Sequence, residues 1–265
     1  MPDNHSILYI SHGGGPLPVL GDPGHTEMVA NLRHLAATMP KPEAILLVSA
    51  HWEETRPTVT IGAHPPLYYD YSGFPRESYE LTYPAPGDDA LAGKVRDALE
   101  KSGLGCGFEA ARGFDHALFI PLMLMYPQAD VPCVELSLVQ GLDPATHIAL
   151  GRALADVEHP HLLIIGSGFS FHNMEAFFTP DTATTRAWNN AFDTWLTETC
   201  CDPTLSETER RKRLLDWEAA PHARYCHPRE EHLLPVHVCS GAAGRACSEV
   251  FKMTILNKKA SAFRW

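Results

Sequence analysis

The chain has 265 residues, which fits one large α/β domain or two small ones. Hydrophobic residues make up 45% and charged residues 20%, an ordinary globular balance. The formal net charge of −11 would repel a phosphate backbone, and no apolar stretch is long enough to span a bilayer, so neither a nucleic-acid nor a membrane partner is expected.

Apolar runs of strand length alternate along the chain with longer segments of helical periodicity. In chain order we predict a strand at 7–10, a helix at 26–39, strands at 44–48 and 58–61, helices at 88–101 and 117–125, a strand at 134–139, a helix at 147–157, a strand at 162–165, and helices at 185–200, 206–217 and 228–241. The strand at 58–61 is expected beside the strand at 44–48, and the tail from Ser248 is expected to return as one or two strands.

The apolar runs do not alternate with polar residues, which is typical of strands covered on both faces. Strands and helices also follow one another in turn. The pattern therefore predicts an α/β fold with a central, mostly parallel sheet flanked by helices, in a single domain spanning residues 1–265.

The segment 63–86 is a long loop, and its aromatic residues have two interpretations. They are Tyr68, Tyr69, Tyr71, Phe74, Tyr79 and Tyr83. Either they form a lid or wall that stacks on an aromatic ligand, or they only pin a surface loop to itself.

The cysteines are an odd number, seven, scattered and without a Cys-x-x-Cys spacing. This predicts reduced thiols in a cytoplasmic protein, with the adjacent Cys200 and Cys201 as two half-buried thiols. The polar start of the chain, 1–6, has no basic and apolar regions of a secretory signal, which agrees with a cytoplasmic location.

Three of the 15 histidines closely follow predicted strands: His12, His51 and His172. In an open α/β sheet, ligands bind beyond the carboxyl ends of the strands, so these three side chains are expected at one rim. His116 stands just before a predicted helix, and His232 lies at or before the last one. Each histidine alone is more often an ordinary hydrogen-bonded residue; the joint placement is what suggests a site.

Neutral imidazoles are good ligands for Fe(II) and Zn(II). Three protein ligands leave positions open for substrate and O₂, and a further histidine can take up and return a substrate proton. The histidine pattern therefore favours a mononuclear metal enzyme.

The chain resembles the class III, LigB-type extradiol ring-cleaving dioxygenases, most closely their DOPA 4,5-dioxygenase branch. The matching segments occur in family order: Ser11-His12-Gly13, 48–52, Gly73-Phe74-Pro75, 83–87, 113–116, 121–127, Gly166-Ser167-Gly168, His172-Asn173, and 227–235. Each segment is weak alone, but the ordered set covers nearly the whole chain.

The resemblance implies a role for each of the five histidines. His12, His51 and His232 match the metal-ligand positions of this branch, with Glu230 or Glu231 as a lesser candidate for the third ligand. His172 matches an acid/base that also reaches the metal in zinc-loaded members. His116 matches a second histidine that handles substrate protons. Fe(II) is the cofactor expected for activity, and Zn(II) could occupy the same site in the purified protein.

The implied reaction opens a catechol-type ring with O₂ to a muconic semialdehyde, in a monomer or small homo-oligomer. Arg112 and Arg229 are weak candidates to pair with a substrate carboxylate. Phe171 stands where relatives have a small residue, and it is expected to narrow the pocket.

Two alternatives stay open at this point. A zinc hydrolase would use the same histidines to activate water. A non-catalytic metal-binding module, like the Memo proteins that share this fold, would need neither His116 nor His172 for chemistry.

Overall fold

The computed structural model describes residues 5–265, and its strands form one eight-stranded sheet. They are β1 (His5–Ser11), β2 (Ala44–Glu54), β3 (Thr58–Thr60), β4 (Gly107–Glu109), β5 (Cys133–Val139), β6 (Leu162–Gly168), β7 (Glu249–Ile255) and β8 (Lys258–Arg264). Their order across the sheet is β4-β3-β5-β2-β6-β1-β8-β7. Parallel pairs join β1 to β6, β6 to β2, β2 to β5 and β3 to β4. The C-terminal hairpin extends the sheet antiparallel beside β1.

Helices cover both faces of this sheet. They are α1 (Thr26–Thr38), α2 (Asp89–Lys101), α3 (His116–Met125), α4 (Pro144–Leu154), α5 (Met174–Phe178), α6 (Ala183–Cys201), α7 (Glu207–Leu215), α8 (Ala223–Cys226) and α9 (Leu234–Ala243). In β2, Leu46 and Val48 enter one hydrophobic core while Ile45 and Leu47 enter the other, because successive side chains of a strand point to opposite faces. The predicted fold class is confirmed.

Most predicted elements are present, and the exceptions have local causes. The strand β3 does not lie beside β2 but between β4 and β5. The helix predicted at 228–241 begins only at Leu234, with Pro235 in its first turn. The helix predicted at 147–157 begins at Pro144, because Asp143 caps it by accepting from the Thr146 N–H. The short elements β4, α5 and α8 were not predicted.

The prediction that all cysteines are reduced is wrong for one pair. Cys201, the last residue of α6, forms a disulfide with Cys247 just before β7, while Cys200 is a buried free thiol. A disulfide between residues 46 positions apart cannot be recognised from spacing alone. Within residues 5–265, no helix combines the length and apolar character that crossing a membrane requires.

Candidate metal centre

Two of the predicted site histidines are positioned by β1 and β2, the two strands that flank β6 in the parallel part of the sheet. The backbone N–H of His12 donates to the Gly168 carbonyl (2.9 Å) and so continues the pairing of β1 with β6. His51 lies on a bulge of β2, because the pairing with β5 jumps from Ser49 directly to Glu53. Such a bulge re-aims side chains at a strand end, and His51 here faces His12.

The segment after β6 brings the C-terminal part of the chain to the same rim. The His172 N–H donates to the Cys226 carbonyl (2.9 Å), and the Phe169 N–H donates to the His232 carbonyl (3.1 Å). Gly168 permits this close approach, because a Cβ there would lie 2.2 Å from the His232 carbonyl oxygen. His172 and His232 then stack, with ring centroids 3.4 Å apart.

His116 is the first residue of α3, and two carboxylates hold it in place. Asp115 caps the helix by accepting from the Ala117 N–H. Asp70, from the long loop, accepts from both the backbone N–H (3.1 Å) and Nδ1 (2.7 Å) of His116. The rings of His116 and His51 lie with centroids 4.0 Å apart.

The five predicted histidines thus lie together at one rim, and the His51 ring contacts those of His12, His116 and His232. The Nε2 atom of His51 is 3.2 Å from Nε2 of His12 and 3.1 Å from Nε2 of His232. Ligand atoms of His12, His51 and His116 lie within 4.8 Å of one another, as do those of His172, Glu231 and His232. The close Nε2 contacts of His51 link the two sets into one cluster.

Hydrogen bonds at Nδ1 turn the Nε2 lone pairs of His12 and His232 towards this cluster. Nδ1 of His232 lies 2.8 Å from the Glu231 carboxylate, which can only accept. Nδ1 of His12 lies 3.1 Å from the Ser167 hydroxyl, and that hydroxyl already donates to the Ala117 carbonyl. Nδ1 of His51 faces the Asp70 carboxylate at 3.4 Å. A carboxylate behind a histidine in this way is a common feature of metal-binding imidazoles.

The same histidines are held in the neutral form that binds metals. Burial, followed by the neighbouring imidazoles, lowers the pKa of His12 and His232 well below the ordinary value. Burial and the adjacent His116 lower the pKa of His51 to about 3. Two neutral nitrogen lone pairs about 3 Å apart repel each other unless a proton or a cation lies between them, and a proton is disfavoured here. The donor set therefore fits a bound divalent cation.

A cavity of about 390 Å³ opens at this cluster. The five histidines form part of its wall, together with Asp70 and Tyr71 of the long loop. Most of the rest is apolar and comes from the glycine segment after β1, the loop after β6, helix α5 and the β7–β8 turn. The volume is within the range of about 300–1,000 Å³ that holds small organic ligands.

The aromatic loop supplies part of the cavity wall and is also pinned to itself, while stacking of its rings on a ligand stays a prediction. Tyr71 and Phe74 line the cavity, whereas the half-exposed Tyr68 does not. The loop is also pinned by its own hydroxyls, since Tyr69 donates to the Leu81 carbonyl (2.6 Å) and Tyr71 to the Ser78 carbonyl (2.5 Å).

Three other predicted residues lie away from the cavity. Phe171 is fully buried in a core behind the site, so the expectation that it narrows the pocket is wrong. Arg112 donates to Asp115 (2.9 Å) and packs between two aromatic rings. Arg229 pairs with Glu53. Both guanidinium groups are therefore already paired.

Sequence reasoning missed the residues that orient the histidines. Asp70 was not singled out, and Glu231 was considered only as a ligand, whereas it lies 3.1 Å from Nδ1 of His172 and 2.8 Å from Nδ1 of His232. Burial opposes ionisation of Glu231, but hydrogen bonds from the two histidines lower its pKa far below the ordinary value. The only sequence feature that indicated an orienting role for Glu231 was its position directly before His232. His25, which accepts from the Gly14 N–H (3.0 Å), was also missed.

Comparisons with known proteins agree with this architecture. A family described as the catalytic LigB subunit of aromatic ring-opening dioxygenase matches residues 7–263. A dioxygenase named tasH from Hapsidospora irregularis is 38% identical, over 89% of this chain and 78% of that protein. The 4,5-DOPA dioxygenase extradiol of Beta vulgaris is 37% identical, over 89% and 86%.

A bacterial relative and a solved structure extend the comparison. The 4,5-DOPA dioxygenase extradiol of Escherichia coli (strain K12) is 32% identical, over 89% of this chain and 84% of that protein. The crystal structure of an uncharacterized protein from Escherichia coli K12 superposes with a TM-score of 0.74 at 26% identity, covering 98% of both chains. The similarity thus extends over the whole sheet.

Proposed function

Since the chain belongs to the LigB family and is an extradiol ring-cleaving dioxygenase, we propose that it opens a catechol ring with O₂ at a ferrous site held by His12, His51 and His232. The product is a muconic semialdehyde that carries both oxygen atoms of O₂. The observation that carries the proposal is the convergence of the Nε2 atoms of three neutral histidines at an apolar cavity.

The three proposed ligands come from the end of β1, where His12 follows Ser11, from the bulge of β2 and from the turn before α9, so folding of the sheet assembles them. Ser167 and Glu231 hold two of the rings with Nε2 turned inward. Ferrous iron, when bound, supplies open positions for the diol and O₂ and lowers the pKa of the diol hydroxyls.

His172 and His116 are the proton carriers in this proposal. Both line the cavity, and both turn Nδ1 towards a carboxylate, Glu231 for His172 and Asp70 for His116. Their Nε2 atoms are therefore free to accept a proton from a diol hydroxyl and to return it to an oxygen of the opening ring. A general acid or base of this kind contributes about 10²–10⁴-fold to a rate.

The cavity also favours this reaction over hydrolysis. Its wall is mostly apolar, which suits an aromatic ring better than the polar groups that most hydrolysed substrates carry. Two oriented histidines beside the three ligand positions would have no purpose in a non-catalytic module. The relatives compared above are named as dioxygenases.

The test is reconstitution of the metal-free protein with Fe(II) under anaerobic conditions, followed by a panel of catechols and admission of O₂. We expect O₂ uptake with a yellow semialdehyde in equal amounts. The matched control is the same protein loaded with Zn(II), which we expect to be inactive. Hydrolytic turnover with Zn(II) that is independent of O₂, or no turnover of any catechol with Fe(II), would contradict the proposal.

A further inference from the structure

The cavity wall has almost no charged side chains beyond the histidines. Apart from the five histidines, Asp70 is its only ionisable carboxylate or cation within residues 5–265, and Asp70 is bound to His116. Apolar side chains supply the wall beyond the histidines: Leu17, Phe74, Met174, Phe177, Phe178 and Leu256. The Tyr71 hydroxyl is also occupied, because it donates to the Ser78 carbonyl. Beyond the histidines the wall therefore offers no cation, and its one carboxylate, Asp70, already accepts from His116 through Oδ1 and faces Nδ1 of His51 through Oδ2 at 3.4 Å.

Four cations on segments beside the site have polar partners of their own. Arg112 is held by Asp115, and Arg229 by Glu53. Arg186 and Lys258 line a separate cavity that shares Phe177, Phe178 and Leu256 with this one. Lys258 pairs there with the Asp181 carboxylate, and Arg186 donates to the Asp181 carbonyl.

Two side chains of α5 extend the apolar wall to the opening. Phe178 is 83% exposed and Met174 is 55% exposed, yet both line the cavity. Large apolar side chains exposed together are uncommon at a surface without a ligand. The apolar wall thus continues from the histidines to the solvent.

From this distribution of charge we infer that the substrate is a catechol whose ring carries an uncharged apolar substituent, alkyl or aryl. The inference rests on the proposed ring-opening function. A carboxylate on the substituent would be buried without a cation and in the same cavity as Asp70, which costs free energy. An ammonium or amino-acid substituent would have only Asp70 as a partner, and would compete there with His116 and His51. The 390 Å³ cavity is larger than a bare catechol ring, so an apolar chain gains contact by filling it.

The test compares 4-butylcatechol with 3-(3,4-dihydroxyphenyl)propanoate, which has a similar length but ends in a carboxylate. Bare catechol, dopamine and DOPA complete the panel, all with iron-loaded protein. We expect kcat/KM to rise about fourfold for each methylene added to a 4-alkyl chain, the value for full burial of a CH₂ group. We expect the carboxylate to lower kcat/KM by about tenfold or more relative to 4-butylcatechol. Equal or better turnover of the carboxylate or of DOPA would overturn the inference.

A second measurement separates this inference from the proposed function. Calorimetry of the metal-loaded protein without O₂ reports binding alone, so the order of affinities can be read even if no ring is opened. If 4-butylcatechol binds more tightly than the carboxylate but is not cleaved, the substrate class holds and the reaction is wrong. If bare catechol is cleaved and the order of affinities is reversed, the reaction holds and the substrate class is wrong.

Two arginine variants, one at the opening of the cavity and one away from it, test whether the substituent reaches this wall. Met174→Arg adds a cation to the cavity wall, and Val250→Arg adds the same charge at an exposed apolar position of β7 that does not line the cavity. We expect Met174→Arg to shift the kcat/KM ratio by at least tenfold in favour of the carboxylate, and Val250→Arg to leave the ratio unchanged. An unchanged ratio in Met174→Arg would show that substituents do not reach this wall.

Discussion

At the scale of single residues, the site depends on which nitrogen of each imidazole faces inward. A histidine binds a metal through one nitrogen, and the partner of the other nitrogen decides which one that is. Here Ser167 and Glu231 take the Nδ1 atoms of His12 and His232, and Nε2 is left for the cluster. The five histidines could be chosen from the sequence, but their orientation could not, because Asp70 and Ser167 come from distant segments.

Replacing a proposed ligand should remove the metal. We expect His232→Ala to reduce bound iron to a small fraction of one per chain and to abolish O₂ uptake, because two imidazoles hold Fe(II) weakly. Iron content measured after desalting, with urea unfolding as a check on folding, tests this. His34→Ala is the matched control, since His34 is exposed and lies outside the cavity. Full iron content in His232→Ala would mean that another residue is the third ligand.

Asp70 is expected to act as a positioning residue for His116 and His51. Asp70→Ala removes the acceptor at 2.7 Å from Nδ1 of His116 and should lower kcat by about 10–100-fold, the usual cost of losing such a partner. Asp70→Asn keeps an oxygen acceptor and should recover part of the rate.

The control for Asp70 is Asp130→Ala, which removes an exposed carboxylate paired with Lys41. It should leave kcat unchanged. If Asp70→Ala and Asp70→Asn lose only stability in urea and keep kcat per folded molecule, the positioning role is wrong.

At the scale of elements, strands bring the site histidines to one rim, and a bulge and a glycine segment set their exact positions. The strands β1, β2 and β6 bring His12, His51 and His172 to one rim, as the predicted topology required. The exact positions come from the bulge in β2 and from a tight glycine segment after β1. Gly13 has φ of +83°, and a Cβ there would lie 2.7 Å from the His25 ring. These details depend on packing partners that the local sequence does not reveal.

The disulfide ties the end of α6 to the start of the C-terminal hairpin. Cys201→Ser should lower the free energy of unfolding by about 2–4 kcal/mol, because the unfolded chain gains conformational entropy when the cross-link is absent. Activity should be retained, since neither cysteine lines the cavity. Urea unfolding with and without a reductant measures the effect, and Cys106→Ser serves as the control because Cys106 is a free thiol. Equal stability of Cys201→Ser and the parent protein would mean that the bond does not form.

At the scale of the whole molecule, several histidines are buried in the neutral form, and this couples stability to pH. His227 is fully buried, with Nε2 near the Ser170 carbonyl (3.1 Å), and burial lowers its pKa to about 3. The unfolded chain has an ordinary histidine pKa of about 6.5. Below that value the unfolded state binds a proton that the folded state does not, so the free energy of unfolding decreases as the pH is lowered.

From pH 7.5 to pH 5.5, the free energy of unfolding should therefore decrease by roughly 1 kcal/mol for His227 alone. Urea unfolding at a series of pH values measures the slope. His227→Leu removes the titrating group and should give a shallower slope, while exposed His34 provides a control as His34→Leu. A slope in His227→Leu as steep as in the parent protein would contradict this assignment.

The sequence by itself determined the fold class and singled out five histidines that line one cavity in the folded chain. Apolar runs without alternation require a sheet covered on both faces, and histidines that follow parallel strands must meet at one rim. Only the tertiary structure decided that the histidines share one cavity, that Asp70 and Glu231 orient them, that Arg112 and Arg229 are paired elsewhere, and that Cys201 bonds to Cys247. The physical reason is that these contacts join residues far apart in sequence, and their formation depends on how loops pack rather than on any local pattern.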